Sequence, residues 1–336
     1  MRVLKFGGTS LADGERMADA AQRVEEARGD GPVVAVVSAL AGVTDDLTRA
    51  AEHAAKGGRR RAQRRPPRGG SESPGPEEVR SRLGLRHLLC LEELGPPADV
   101  KARTAALLHR RLVSLATDLQ RLATAVAQGE SGRRERTAVV LAAGERLAAP
   151  LFTAALAARG LDAEVVDTAE LIVTEGPILD GRVIAAATRD AARQRLAVPL
   201  GSATPRVQVV PGFVAADRQG RTTLLGRGGS DVTATALAAA LDAHRVEIWT
   251  DVDGVMSADP KVNPGAALLP RLRWGEAAAL AKAGAKVLHP RAVEPAAAAR
   301  IPIQVRNSLR PDGPGTWIGD AGEDAGEDPK RLVRSA

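Results

Sequence analysis

Residues 2–10 read RVLKFGGTS, a short apolar segment that ends in two glycines and two hydroxyl residues. Apolar positions at helical spacing follow to about residue 27, so the stretch predicts a strand, a glycine turn and a helix. Glycines let the backbone approach a phosphate closely, and the helix N-terminus adds free N–H groups. Lys5 supplies a compact positive charge, but it precedes the glycines, so this is not the P-loop pattern. On its own, the double glycine is also what a simple tight turn requires.

Strands and helices alternate along the rest of the chain. Residues 32–38 (PVVAVVS) form a continuous apolar run, which is typical of a strand buried on both faces. Further strands are predicted at residues 163–167, 207–210, 222–225, 246–250 and 301–306, and helices at 79–94, 98–127, 183–196, 230–241, 277–283 and 290–299. This alternation predicts an α/β fold with a largely parallel sheet and helices on both faces. Ligands of such sheets bind at the carboxyl ends of the strands.

Composition narrows the classes of function. The 336 residues carry a formal net charge of +6, but six arginines crowd into residues 59–68, and without them the chain is neutral. Tyrosine is absent and aromatic residues make up 2% of the chain, which leaves few rings for stacking on bases. We therefore expect no nucleic-acid partner. The sequence contains no run of 18 or more apolar residues, so we predict no membrane span. Cys90 is the single cysteine, which fits a cytoplasmic location.

Two segments are polar and of low complexity. Residues 57–78 are rich in arginine, glycine, proline and serine, which predicts a flexible loop between helices. Residues 321–336 predict a polar tail that frays. One folded unit is therefore expected over about residues 1–320.

A second glycine-rich segment, GRGGSD at 226–231, again joins a short strand to the start of a helix. Ser230 is predicted as the N-cap of that helix. Arg227 can hold a carboxylate with both arms of its guanidinium group. Asp231 falls in the first helical turn, where a carboxylate complements the helix dipole. A mere capping role for Asp231 therefore stays open beside a functional one.

Two further segments combine glycine with charge. Residues 249–255, WTDVDGV, are followed by Lys261, and together they predict a strand, an acidic turn and a basic residue that could frame a nucleotide. Residues 284–290, GAKVLHP, contain Lys286 and His289. The proline after the histidine predicts an extended or helix-entry position.

Taken together, these segments closely resemble the aspartokinase branch of the amino acid kinase family. The shared motifs occur in the family's order and spacing: KFGGTS at 5–10, VVSALAGVTD at 36–45, GERL at 144–147, GF at 212–213, GRGGSD at 226–231, WTDVDGV at 249–255, DPK at 259–261 and GAKVLHPR at 284–291. Each motif is modest alone, but all eight in order are specific. The WTDVDGV and GAKVLHP forms are most similar to the kinase part of the bifunctional aspartokinase–homoserine dehydrogenases.

The resemblance covers about residues 1–320 and implies a fold. That fold is a three-layer α/β/α sandwich around an open, mainly parallel sheet. It also implies a substrate lobe over about residues 1–215 and a nucleotide lobe over about residues 216–320.

The resemblance further implies roles for individual residues. The catalytic residues would be Lys5, on the transferring phosphoryl group, and Asp231, which orients it. The substrate would be held by Arg227 on a carboxylate, by Glu145 on the α-ammonium group, and by Thr44, Gly228 and Ser230. The phosphate path would be lined by Gly7, Gly8, Thr9 and Ser38, and the nucleotide held by Thr250, Asp251, Met256, Lys261 and Lys286.

These roles imply ATP-dependent phosphorylation of the side-chain carboxylate of L-aspartate to 4-phospho-L-aspartate. That carboxylate is ionised at neutral pH, so the reaction needs no general base. The task is to align two anions, which requires positioning and positive charge from lysines and Mg²⁺. Mg²⁺ can be held by ATP phosphates and water, so no metal-ligand cluster is expected in the protein.

The chain departs from the family pattern at three positions. Met256 stands where relatives mostly carry an aromatic residue beside the adenine, Val232 where tyrosine is usual, and Ala283 where phenylalanine is usual. Compositional drift or a relaxed pocket would each explain the loss of rings. The chain also stops where regulatory domains of the ACT type normally begin, which predicts no built-in feedback inhibition by lysine or threonine. A separate regulatory subunit, or a sequence that was cut, is the alternative.

Two other functions remain open. The first is a kinase of the same fold that acts on glutamate or another aspartate-like acid. The second is a non-catalytic ligand-binding subunit, although intact Lys5, Asp231 and Lys286 argue against it. The protein partners compatible with the resemblance are a second copy of the chain, a regulatory subunit, and a semialdehyde dehydrogenase that consumes the labile acyl phosphate.

Overall fold

The computed structural model describes residues 1–57, 75–202, 204–258, 263, 265–282 and 288–320. Its strands are β1 (Arg2–Phe6), β2 (Val33–Val37), β3 (Ala163–Val165), β4 (Val173–Glu175), β5 (Arg182–Val183), β6 (Val207–Pro211), β7 (Val214–Asp217), β8 (Thr222–Leu224), β9 (Arg245–Thr250), β10 (Arg271–Leu272), β11 (Ile303–Asn307) and β12 (Thr316–Ile318). Its helices are α1 (Gly14–Arg28), α2 (Val43–Gly57), α3 (Pro76–Leu94), α4 (Ala98–Gln128), α5 (Arg133–Ala158), α6 (Ala185–Gly201), α7 (Gly229–Leu241), α8 (Trp274–Lys282) and α9 (Pro290–Ala298).

The larger sheet has eight strands in the order β10-β12-β11-β9-β1-β2-β6-β3. Neighbouring strands run parallel except for β11 and β12. The first strand of the chain therefore lies at the centre, paired with β2 on one side and with β9 on the other along its whole length, from Arg2 to Phe6. The carboxyl ends of these three strands meet at one edge of the sheet. The prediction of an open, mainly parallel sheet is confirmed.

Helices cover both faces of this sheet, and each face has its own core. Side chains alternate between the faces along a strand, so Leu4 and Phe6 join the core formed with α1 to α5. Val3 and Val36 join the core formed with α6 to α9 on the other face. The five residues of β2 are fully buried because both faces are covered. The three-layer α/β/α arrangement is thereby confirmed.

Helix α5 crosses the first core. Among the described helices, it alone has the length and apolar composition to cross a membrane, and 72% of its apolar window is buried inside the protein. A buried core helix meets the same two criteria. Its burial also carries Glu145, from the GERL motif, into the interior.

A second, smaller sheet was not predicted from the sequence. Its four strands lie in the order β5-β4-β7-β8, and each has only two to four residues. The strand expected at 222–225 belongs here as β8 and runs antiparallel to β7. The helix expected at 183–196 begins only at Ala185, because Arg182 and Val183 pair with β4. This sheet packs on α5 beside the carboxyl edge of the larger one.

The predicted loop at 57–78 lies mostly outside the described residues. At its margins, Gly57 ends α2 and Pro76 begins α3, so residues 76–78 are helical and do not belong to a loop. The predicted tail at 321–336 also lies outside the described residues. The division into two lobes near residue 215 stays a prediction.

Candidate active site

The motifs that follow neighbouring strands of the larger sheet lie next to one another. Beyond the strand ends, the Gly7 N–H donates to the Trp249 carbonyl oxygen at 3.0 Å. On the other side of β1, the Gly212 N–H donates to the Val37 carbonyl oxygen at 2.8 Å. One edge of the sheet therefore carries four of the predicted segments: the glycine turn after β1, the segment after β2, the GF dipeptide after β6 and the acidic turn after β9. Ligands of parallel sheets bind at this edge.

Lys5 and Asp231 form an ion pair at this edge. Lys5 is the fourth residue of β1, and Asp231 lies in the first turn of α7. The Nζ atom of Lys5 is 2.7 Å from Oδ1 of Asp231, and the two side chains are 10% and 12% exposed. Low exposure strengthens this attraction relative to water. The Asp231 carboxylate thus holds the ammonium group in place, and within the described residues it makes no capping bond to a backbone N–H.

Helix α7 begins earlier than expected. Its N-cap is Gly228, with φ of 69°, and its first residue is Gly229. The prediction of Ser230 as the N-cap is therefore wrong, since this residue lies inside the first turn. Glycine allows the earlier start because a left-handed backbone carries no Cβ penalty in this residue. The shift places the Ser230 side chain on the wall of the neighbouring pocket.

A pocket of about 510 Å³ lies at the carboxyl edge between β1, α2, α5 and α7. It contains both predicted catalytic residues and the five residues predicted to bind the substrate. The predicted residues that line it are Lys5, Gly8, Ser38, Thr44, Glu145, Arg227, Gly228, Ser230 and Asp231. The residues that complete its lining are Ala39, Leu40, Ala41, Gly42, Leu141, Leu179, Phe213, Leu224, Gly226 and Gly229. Segments far apart in the sequence thus converge on one site.

Glu145 supplies a buried carboxyl group to the pocket. The residue is 4% exposed, and burial raises the pKa of its carboxyl group to about 8, although backbone N–H groups, including that of Ala39, hydrogen bond to it. Its Oε2 atom has no hydrogen-bond partner among the described residues. A buried acceptor without a donor is costly. A cationic donor that enters the pocket would satisfy this oxygen and favour the ionised carboxylate.

Arg227 presents a positive charge to the same pocket. Its side chain is exposed and has no ion-pair or hydrogen-bond partner among the described residues. A free guanidinium fork can bind a carboxylate through two parallel hydrogen bonds. Thr44, in the first turn of α2, adds a hydroxyl group to the lining. With Glu145, the pocket therefore offers one partner for a carboxylate and one for an ammonium group, the two charges of an amino acid.

One wall of the pocket is apolar, and the sequence analysis did not find it. Leu141, Leu179, Leu224 and Phe213 come from α5, from the loop before β5, from β8 and from the turn between β6 and β7. Phe213 has φ of 68°, which is strained for a bulky residue, and its N–H donates to Oγ1 of Thr233 at 3.0 Å. Such strain concentrates at functional sites. The GF dipeptide was the sequence signal that could have indicated this wall.

The other described residues predicted to bind the nucleotide lie outside the pocket lining. Gly7 and Thr9 belong to the turn after β1, while Thr250 ends β9 and Asp251 is exposed in the turn that follows. Met256 is half-buried in an isolated bridge farther along the same loop. Because β1 and β9 are neighbouring parallel strands, the two turns share an edge with Lys5.

Two predicted nucleotide residues, Lys261 and Lys286, lie outside the described residues, so their placement stays a prediction. In the part of the chain that the structure describes, no group of three or more His, Cys, Asp or Glu side chains could hold a metal ion.

Comparison with known families gives one match over most of the chain. The amino acid kinase family matches residues 1–307. The bifunctional aspartokinase/homoserine dehydrogenase of Haemophilus influenzae is 34% identical over 323 residues, which is 95% of this chain and 36% of that protein. The lysine-sensitive aspartokinase 3 of Escherichia coli is 34% identical over 326 residues, which is 94% of this chain and 63% of that protein.

A solved structure agrees with these sequence matches. The crystal structure of E. coli aspartokinase III in complex with aspartate and ADP (R-state) superposes with a TM-score of 0.79 at 31% identity. The match covers 96% of this chain and 65% of that one. The chain thus spans between about a third and two thirds of the length of these relatives.

Proposed function

Because this chain belongs to the amino acid kinase family, we propose that it transfers the γ-phosphoryl group of ATP to the side-chain carboxylate of L-aspartate. The observation that carries this proposal is the charge pattern of the pocket. Among the described residues, the guanidinium group of Arg227 has no partner and one buried oxygen of Glu145 has no donor, while Asp231 fixes the ammonium group of Lys5. An amino acid with a second carboxylate has one group for each of these partners.

The proposed binding mode follows from charge. Arg227 takes one carboxylate of aspartate through its guanidinium fork. The α-ammonium group donates to Oε2 of Glu145 and so keeps that carboxylate ionised. Thr44 and Ser230 add hydroxyl groups that hydrogen bond to the bound amino acid. The side-chain carboxylate then faces the edge of the sheet where Lys5 lies.

The chemical step needs charge neutralisation more than proton transfer. A carboxylate oxygen of aspartate attacks the γ-phosphorus, a new P–O bond forms, and the bond to the bridging oxygen breaks with its electron pair going to ADP. No proton moves, because the attacking carboxylate is already ionised. Lys5 offsets the charge on the transferring group, and Asp231 keeps its ammonium group fixed for that task. The product is an acyl phosphate.

The nucleotide is proposed to lie along the β1 and β9 ends. Gly7, Gly8, Thr9 and Ser38 would line the phosphates, and Thr250, Asp251, Met256, Lys261 and Lys286 would hold the rest of ATP. Mg²⁺ would enter with ATP as part of the substrate. The E. coli relative whose structure contains aspartate and ADP supports both substrates. We expect the reaction to take place in the cytoplasm.

The proposal is tested by trapping the acyl phosphate with hydroxylamine. The purified chain is incubated with Mg-ATP and with L-aspartate, D-aspartate, L-glutamate or N-acetylglutamate. Lys5→Ala is compared with Lys101→Ala, a control lysine whose one ion pair among the described residues is an exposed pair with Glu92. We expect hydroxamate from L-aspartate, its loss in Lys5→Ala and its retention in Lys101→Ala.

The other outcomes separate the alternatives. If another acid gives product and L-aspartate does not, the protein is still a carboxylate kinase, but the proposed substrate is wrong. ATP binding without product from any acid would overturn the catalytic proposal and favour a ligand-binding subunit.

A further inference from the structure

Arg291 lies near the start of α9 and does not line the pocket. It binds groups at the beginning of residues 226–228, which we call the substrate loop. Its Nη1 atom donates to Oδ1 of Asp180 at 2.5 Å and to the Leu225 carbonyl oxygen at 3.1 Å. Its Nη2 atom donates to the Gly181 carbonyl oxygen. One guanidinium group thus joins α9, the turn before β5 and the residue after β8.

These contacts fix the first glycine of the substrate loop. Gly226 has φ of 70°, and a Cβ atom at this position would overlap the Asp180 carboxylate. Asp180 therefore packs directly against the Gly226 backbone while its carboxylate accepts from Arg291. The Leu225 carbonyl, which immediately precedes Gly226, accepts from the same guanidinium group.

Helix α9 also supports the other end of the same short stretch. His289 is the N-cap of α9, and its Nδ1 atom accepts from the Arg291 N–H at 3.4 Å. A Cβ atom on Gly228 would lie 2.5 Å from Cβ of His289, so the histidine packs against the backbone there. Arg227 lies between these two supported glycines and faces the pocket.

We propose that Arg291 is a positioning residue for substrate binding, which sets the direction of Arg227 by fixing the backbone of residues 225–228. A stretch with glycine on both sides of one residue has little conformational preference of its own, so outside contacts must select its conformation. The fork of Arg291 holds two carbonyl oxygens and a carboxylate at once, which a lysine cannot reproduce. The proposal rests on the proposed function in that Arg227 binds the carboxylate of the amino-acid substrate.

The test compares Arg291→Ala with a matched control, Arg193→Ala. Arg193 also joins a backbone carbonyl and a carboxylate, those of Ala240 and Asp242, but it does so at the far end of α7. We expect Arg291→Ala to raise KM for L-aspartate at least about tenfold, since small misplacement of a binding group is costly. KM for ATP and the melting temperature should change no more than in Arg193→Ala. Arg291→Lys should recover only part of the affinity.

A second readout does not depend on catalysis. The Gly229 N–H donates to the Gly226 carbonyl and the Asp231 N–H donates to the Gly228 carbonyl, each at 3.0 Å. Hydrogen exchange of these two amides should become faster in Arg291→Ala and stay unchanged in Arg193→Ala. Unchanged exchange, or equal effects on the KM of both substrates, would overturn the positioning role. If exchange is faster in Arg291→Ala but the wild-type protein phosphorylates no aspartate, the contact between Arg291 and the substrate loop stands and the proposed function is overturned instead.

Discussion

Raising the pH from about 6 to about 9 is expected to strengthen L-aspartate binding. The affinity should level off once the pH exceeds the pKa of Glu145. Burial raises that pKa to about 8, and in the proposed binding mode the α-ammonium group of the substrate pairs only with the ionised form. At pH 7 about a tenth of the free protein carries the ionised carboxylate. The apparent Kd should therefore be about tenfold weaker at pH 7 than at pH 9, and about a hundredfold weaker at pH 6.

Binding should also release a proton, because the ammonium group drives Glu145 to its ionised form. Calorimetric titrations at pH 7 in two buffers with different ionisation enthalpies measure this release, which we expect to be close to one proton per aspartate. Glu145→Gln is the control: it should bind aspartate weakly, release no proton and show no pH dependence near 8. A wild-type Kd that is flat from about pH 6 to about pH 9 would refute the reasoning.

A higher pH, which is expected to strengthen substrate binding, should lower the stability of the ligand-free protein because of the raised pKa of Glu145. A glutamate in the unfolded chain has an ordinary pKa of 4.5, below the value of about 8 in the folded state, so between these values the folded state binds the extra proton. The free energy of unfolding therefore falls as the pH rises through this window. Thermal melts without ligand should show wild type losing stability relative to Glu145→Gln between about pH 5 and about pH 8, and aspartate should reverse the loss.

Three further outcomes are expected. Lys5→Arg should lower kcat at least about a hundredfold in the hydroxamate assay, because a guanidinium group does not replace a compact ammonium group beside a phosphoryl group; activity near wild type would contradict the role of Lys5. Gly228→Ala should cost more free energy of unfolding in urea titrations than Gly160→Ala. Both glycines have positive φ, but only Gly228 has a neighbour within reach of the added Cβ; equal costs would contradict this account. Cys90 is buried and burial raises the pKa of its thiol to about 12, so it should react with a disulfide reagent at pH 8 only after unfolding.

The sequence predicted the larger sheet well because strands and helices alternate along the chain and β2 carries a continuous apolar run. A strand covered on both faces has no polar alternation, and residues 32–38 show this directly. The smaller sheet was missed because strands of two to four residues are too short to show any period. Ser230 was misplaced as an N-cap because the rule favours a hydroxyl residue, whereas a left-handed glycine began α7 earlier.

The sequence analysis named the polar residues that line the candidate site but not the apolar ones. Motifs made Lys5, Arg227 and Asp231 visible, since all three lie in or beside glycine-rich segments that join a strand to a helix. Leu141, Leu179 and Leu224 look like any other core leucine, and only their meeting in space makes a wall. The pKa of Glu145 was equally invisible, because burial belongs to the folded chain and not to the GERL motif.

The central place of β1 has a consequence for how the chain is synthesised. The ribosome makes this strand first, and β2 can pair with it early, but β9 is made only at residues 245–250. Until then, the apolar β1–β2 pair has an open edge on which other nascent chains can add strands. Yield in a heterologous host should therefore depend on chaperones and growth temperature, and a truncated chain that ends before residue 245 is expected to aggregate.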